Sequence, residues 1–98
     1  MNKQEIIDTI CMVLERHRYV VKAELFGSLA RGDDKPGSDV DLLVLYDENR
    51  PKGFASFAIF EDLESALDRN VDIVQEKLLY EDVKSNIQND RELIYERI

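Results

Sequence analysis

Residues 25–44 read LFGSLARGDDKPGSDVDLLV, and their order decides the fold. The stretch begins as the end of an apolar strand and turns sharply at Gly27-Ser28. It then crosses a short polar loop and enters a second strand with Asp39 and Asp41 near its start. Side chains alternate along a strand, so these two aspartates share a face, with Cα atoms roughly 6.6 Å apart. That spacing suits carboxylates converging on a pair of hard cations roughly 3.5–4 Å from each other. Val40, Leu42, Val44 and Tyr46 line the opposite face, while Leu43 and Leu45 continue the face of the aspartates. A strand apolar on both faces is expected to be central in its sheet and covered on both sides. Carboxylates at the end of such a strand are costly unless solvated or bound to metal. Taken alone, the pair also describes a strand start with Asp39 capping a turn and Asp41 in water.

Upstream, Val21, Ala23 and Leu25 alternate with Lys22 and Glu24, the pattern of a half-buried strand over residues 20–26. The LARG that follows Gly27-Ser28 reads as the first turn of a helix. Serine is a favoured helix N-cap, and the free N–H groups there attract anions. Gly27 has no side chain, which lets a phosphate come close to the backbone. The Gly-Lys-Ser/Thr ending of a Walker loop is absent. An ordinary strand-turn-helix junction is the other reading of Gly-Ser by itself. Arg31, one turn on, is placed either to reach a triphosphate or to form a structural salt bridge.

Gly27-Ser28, ten residues, then Asp39-Val40-Asp41 resembles the signature of the DNA polymerase β-like nucleotidyltransferase superfamily. The fuller string GSLARG…SDVDLLV, in a chain of 98 residues, is similar to the minimal nucleotidyltransferases, small prokaryotic proteins often paired with a helical HEPN-domain toxin. NVDIV at 70–74 matches the strand that supplies that family's third carboxylate, here Asp72. The resemblance implies two Mg²⁺ ions, or Mn²⁺, on Asp39, Asp41 and Asp72, with ATP as substrate. It implies nucleotide contacts from Gly27, Ser28 and Arg31, and transfer of AMP to a tyrosine hydroxyl of a HEPN toxin, which makes the chain an antitoxin. Asp72 is the implied general base.

Composition bounds the remainder. A chain of 98 residues is expected to form one domain, and 44% hydrophobic with 35% charged residues is ordinary for a water-soluble protein. The net charge of −8 argues against a general nucleic-acid binder, which needs a basic face. It does not argue against a nucleotide substrate, because two dications outweigh three carboxylates. The start lacks a signal-peptide layout, and no apolar run approaches the roughly 18 residues of a membrane helix. The single cysteine, Cys11, excludes an internal disulfide and fits a reducing cytoplasm; it is expected to pack in the first helix. His17 is the only histidine and sits at the end of that helix. Ser28 therefore has no histidine base, and a phosphate ligand suits it better than a covalent nucleophile.

The expected elements are a helix over 2–18, strands over 20–26 and from 39, a helix over 53–68, a strand over 70–75 and two short helical patterns at the end. Those last patterns are Tyr80, Val83 and Ile87, then Leu93, Ile94 and Ile98. Loops are expected at 32–38, flexible and solvated, and at 47–52 around Arg50 and Pro51. Phe54, Phe57, Ile59 and Phe60 spread apolar surface around much of their helix, more than one core can take, and suggest an interface. The fold class is α/β, a small mixed sheet of three or four strands covered by helices. Three functions stay open: adenylylation of a partner protein, neutralisation of that partner by covering alone, and nucleotidyl transfer to a small molecule. The chain has no residues to spare for the second domain that small-molecule acceptors need. Whether it forms a homo- or hetero-oligomer is not legible.

Overall fold

A computed structural model describes residues 1–48 and 54–97, with the side chains of 54–56 left aside. Helix α1 (Lys3–Glu15) starts at a reciprocal cap. The Asn2 side chain accepts from the Glu5 N–H at 2.8 Å, and Glu5 accepts from the Asn2 N–H at 3.1 Å. Strand β1 (Val20–Phe26) leads into the single-turn helix α2 (Gly27–Arg31), and β2 (Val40–Tyr46) follows. Helix α3 (Phe54–Leu67) crosses over to β3 (Val71–Val74), and a 3₁₀ turn (Glu76–Leu78) leads to α4 (Glu81–Ile87) and β4 (Glu92–Glu96).

The sheet order is β3-β2-β1-β4. β1 runs antiparallel to both β2 and β4, while β2 and β3 are parallel because α3 carries the chain back between them. β2 is central, as its apolar composition requires. Ile6, Ile10, Val13 and Leu14 of α1 and Ile59, Leu63 and Leu67 of α3 are buried with Ala23, Leu25, Val40, Leu42, Val44 and Val71. These strand residues belong to one parity, so the helices pack on one sheet face.

The other face differs from expectation. It was to be covered by helices, yet Leu45 is 56% exposed there. Leu43 and Glu24 are nevertheless buried, at 4% and 8% exposure. A charge cluster lies beside Glu24. Arg91 Nε donates to Glu24 Oε2 at 2.6 Å and Nη2 to Glu24 Oε1 at 2.9 Å. The same guanidinium reaches Glu76 Oε1 and Oε2 at 3.0 and 2.8 Å. These bonds hold both carboxyls below the usual glutamate range. Their stabilisation is therefore present above the ordinary value, about 4.3, and is lost as pH falls through the lowered one. Arg91→Ala leaves the buried Glu24 carboxylate with Lys22 alone, at 3.2 Å, and should cost about 2 kcal/mol near neutral pH. The difference from the unmodified chain should shrink in acid, which a series of melting curves against pH will read.

Three further expectations are corrected. The last segment is strand β4 and not a helix; it pairs with the outer edge of β1 from Lys22↔Glu96 to Leu25↔Glu92. His17 lies beyond the end of α1, where Nε2 meets Asp62 Oδ2 at 2.7 Å. Cys11 is only half-buried, and its thiol donates to the Ile94 carbonyl at 3.1 Å. Arg50 and Pro51 of the second loop, and the Phe54 side chain, lie outside the described residues. No described helix is long and apolar enough to cross a membrane.

Candidate active site

β1 delivers the chain to Phe26 in an extended conformation, and Gly27 turns it with φ +76°. Helix α2 begins at Gly27, so Phe26 is the N-cap and Ser28 lies within the first turn. The expectation that Ser28 caps the helix is thus corrected: the extended Phe26 holds the cap position, and Gly27 makes the reversal into the turn with its positive φ. The helix closes at Gly32, whose N–H reaches the Ser28 and Leu29 carbonyls at 2.9 and 3.2 Å.

Sheet register brings the turn to the acids. Phe26 pairs with Asp41 across β1 and β2, and Asp41 pairs with Asp72 across β2 and β3. Adjacent strands lie about 4.8 Å apart, so the turn and two carboxylates form one short row. Gly27 is pressed against this row. A Cβ built on it would overlap Asp41 Oδ2 and stand 3.1 Å from Asp41 Cγ. The sequence suggested that the missing side chain leaves room for a phosphate; the structure shows the Asp41 carboxyl filling that space.

Asp39 sits just ahead of β2, exposed and two residues before Asp41. The loop leading to it is largely exposed, as expected, and carries hydrogen bonds at its end. Lys35 N–H donates to Ser38 Oγ at 2.8 Å, and Ser38 N–H to the Lys35 carbonyl at 2.9 Å. Arg69, next to the start of β3, donates from Nε to the Ser38 carbonyl at 3.0 Å and lies 3.6 Å from Asp34. Arg69 thus links the Asp39 approach to the strand of Asp72. Sequence reasoning passed over it, because a lone arginine before a strand carries no pattern.

Burial pushes the Asp41 carboxyl above the ordinary aspartate range. The charges of Asp72 and Asp39 and a hydrogen bond to Asp72 push the same way, while Arg31 pulls it down. Arg31 itself pairs with Asp33 through Nε at 3.1 Å and with Asp90 through Nη1 at 2.9 Å. Of the two readings left open by the sequence, the salt bridge is the one the structure shows, and the charge of Arg31 is also felt at Asp41.

The donor set suits a hard cation: carboxylate oxygens, one of them destabilised by its neighbours' charge. Among the described residues no three acidic, histidine or cysteine side chains form a ready-made cage. Asp41 and Asp72 meet, and Asp39 stands by at the mouth. A groove of about 640 Å³ along β3 includes Asp72 among Phe57, Phe60, Leu78 and Leu79. Phe57 is 60% exposed there, as the apolar surplus of its helix foretold.

Known proteins resemble this arrangement throughout its length. The family described as "Polymerase beta, Nucleotidyltransferase" matches residues 8–98. A Methanocaldococcus jannaschii protein, MJ1379, named as a candidate protein adenylyltransferase, is 35% identical over 92 residues, spanning 85% of this chain and 90% of the relative. A second from the same organism, MJ0435, carries the same description at 32% identity over 90 residues, 92% and 95% of the two chains. A solved structure described as a minimal nucleotidyltransferase superposes with TM-score 0.76 at 28% identity, over 94% of this chain and 95% of that one. The fold also recurs in a Shewanella oneidensis complex of a tri-AMPylated HEPN toxin with its MNT antitoxin. There the TM-score is 0.70 and the identity 21%, over 97% of this chain and 73% of that one. Family match, fold and the Gly27–Asp41–Asp72 row agree, and the chain belongs to the polymerase β family of nucleotidyltransferases.

Proposed function

We propose that the chain transfers AMP from ATP to a tyrosine hydroxyl of a HEPN-domain toxin and so acts as its antitoxin. The observation that carries this reading is Gly27 pressed against Asp41, with Asp72 in register alongside. A chain that neutralised its partner by covering alone would have no need to build a turn onto a carboxylate. The two relatives, named for protein adenylylation, support the protein acceptor, and so do two structural neighbours. One is the tri-AMPylated toxin complex, the other a toxin-antitoxin pair with AMP-PNP.

Asp39, Asp41 and Asp72 would hold two Mg²⁺ ions, or Mn²⁺. Bound dications lower the pKa of an acceptor hydroxyl and screen the charge of pyrophosphate. The residues then divide the work. The Ser28 hydroxyl and Arg31 bind the triphosphate and orient it, while the bare Gly27 keeps the turn against Asp41. The acceptor oxygen bonds to the α-phosphorus as the bond to pyrophosphate breaks, and the acceptor proton passes to the Asp72 carboxylate. Asp72 is exposed and borders the β3 groove, so an acceptor entering along Phe57 and Phe60 meets it first.

The test is thermal. Mg²⁺ with ATP should raise the melting temperature of the unmodified chain, by about 2.7 kcal/mol of stability at a hundredfold excess over Kd. Asp72→Asn should remove most of that gain. A melting temperature indifferent to ATP and Mg²⁺ together would contradict the reading.

A further inference from the structure

We propose that Asp90 is a positioning residue for nucleotide binding, holding the Arg31 guanidinium ready beside the turn of Gly27 and Ser28. The inference rests on the nucleotidyl-transfer reading and adds to it a residue 59 positions from Arg31.

Arg31 is the last residue of α2, three after Ser28, and residues so spaced lie on one side of a helix. The left-handed Gly32, with φ +83°, ends the helix there and fixes the arginine backbone one turn from Ser28. Two carboxylates then hold the guanidinium at different atoms, Asp33 at Nε and Asp90 at Nη1. They are unequal partners. The Asp33 side chain is 62% exposed on a loop, whereas that of Asp90 is 21% exposed.

Asp90 is also the better anchored. It stands in the turn between α4 and β4, where its N–H and that of Arg91 donate to the Ile87 carbonyl at 3.0 and 3.1 Å. The next side chain is Arg91, whose guanidinium is fixed on Glu24 and Glu76. The cluster on the open sheet face thereby pins the turn that presents Asp90.

A solvent-facing ion pair adds little to stability, so a purely structural role would leave Asp90 nearly dispensable. A long arginine side chain that must be ordered on binding does lower affinity, and ordering it beforehand removes that penalty. A triphosphate can displace the exposed Asp33 from Nε and leave Asp90 on Nη1. Asp90 then keeps the guanidinium aimed while the nucleotide takes the other side.

Equilibrium titration of the full chain with ATP and Mg²⁺ tests this, with melting curves alongside. Asp90→Asn, which preserves size, should raise the ATP Kd about tenfold, within the coupling range of contacting residues, with little change in melting temperature. Asp33→Asn should not weaken binding. In an Arg31→Ala background Asp90→Asn should add nothing, and Asp90→Glu should recover part of the affinity. Unchanged affinity in Asp90→Asn, or the same tenfold loss without Arg31, overturns the inference and leaves the reading of the site standing. An unmodified chain that binds no ATP overturns both.

Discussion

Asp41→Asn should cripple nucleotidyl transfer and, in the absence of metal, make the protein more stable. The second effect is the less ordinary one, and its sign follows from the surroundings. Burial, Asp72 and Asp39 all raise the Asp41 carboxyl above its ordinary range. A group raised on folding favours the native state when protonated, so its ionisation at neutral pH opposes folding. Removing the charge removes the opposition, and melting without metal near pH 7 should move upward. Toward acid, as the unmodified carboxyl takes up its proton, the two proteins should converge. Activity should fall on the order of 10³, because the central oxygen donor of the row is lost. An Asp41→Asn protein less stable than its parent without metal would show that the carboxylate serves the fold.

Gly27→Ala should be nearly as damaging to activity, for a reason that can be separated from backbone strain. The position has φ +76°, which an alanine tolerates poorly, and its Cβ would overlap Asp41 Oδ2. Gly32 supplies the control: its φ is +83°, yet a Cβ there meets nothing within 4 Å. Both substitutions should cost about 1–2 kcal/mol of stability from backbone strain. Only Gly27→Ala should also displace the Asp41 carboxyl, with activity falling on the order of 10² or more. Equal activity in the two variants would mean that the contact between turn and carboxylate is incidental.

Much of this site could be read from the sequence because its parts are local. Gly27, Ser28 and Asp41 fall within one strand-turn-strand unit, whereas Asp39, expected inside the second strand on the face of Asp41, lies just ahead of β2. The bounds of strand β1 were legible from its alternating pattern, although a register shift between Val20 and Lys22 buries Val20 rather than Val21, and β3 was legible from NVDIV. What escaped depends on contacts distant in sequence. Glu24 belongs to the polar half of an alternating strand and reads as solvent-facing. It is buried because Arg91, 67 residues away, binds it.

Strand β4 escaped for a similar reason. Leu93 and Ile94 fit a short helix as well as a strand, and five residues are too few for periodicity to decide. The unpaired edge of β1 decided it, helped by the strand preference of Ile94 and Tyr95. The contact of Gly27 with Asp41 was not legible either, since the signature names the glycine but not what presses on it. Arg69 and Asp90 have no local pattern, and only their partners in space single them out.

On the proposed function, the Gly27–Asp41–Asp72 row performs transfer to a protein hydroxyl. The most direct measurement is the intact mass of the partner HEPN protein after incubation with this chain, ATP and Mg²⁺. The unmodified chain should add adenylyl groups to partner tyrosine, and Asp41→Asn should add none while still binding the partner. A partner left unmodified by the active chain, or neutralised in cells equally well by Asp41→Asn, would contradict the claim.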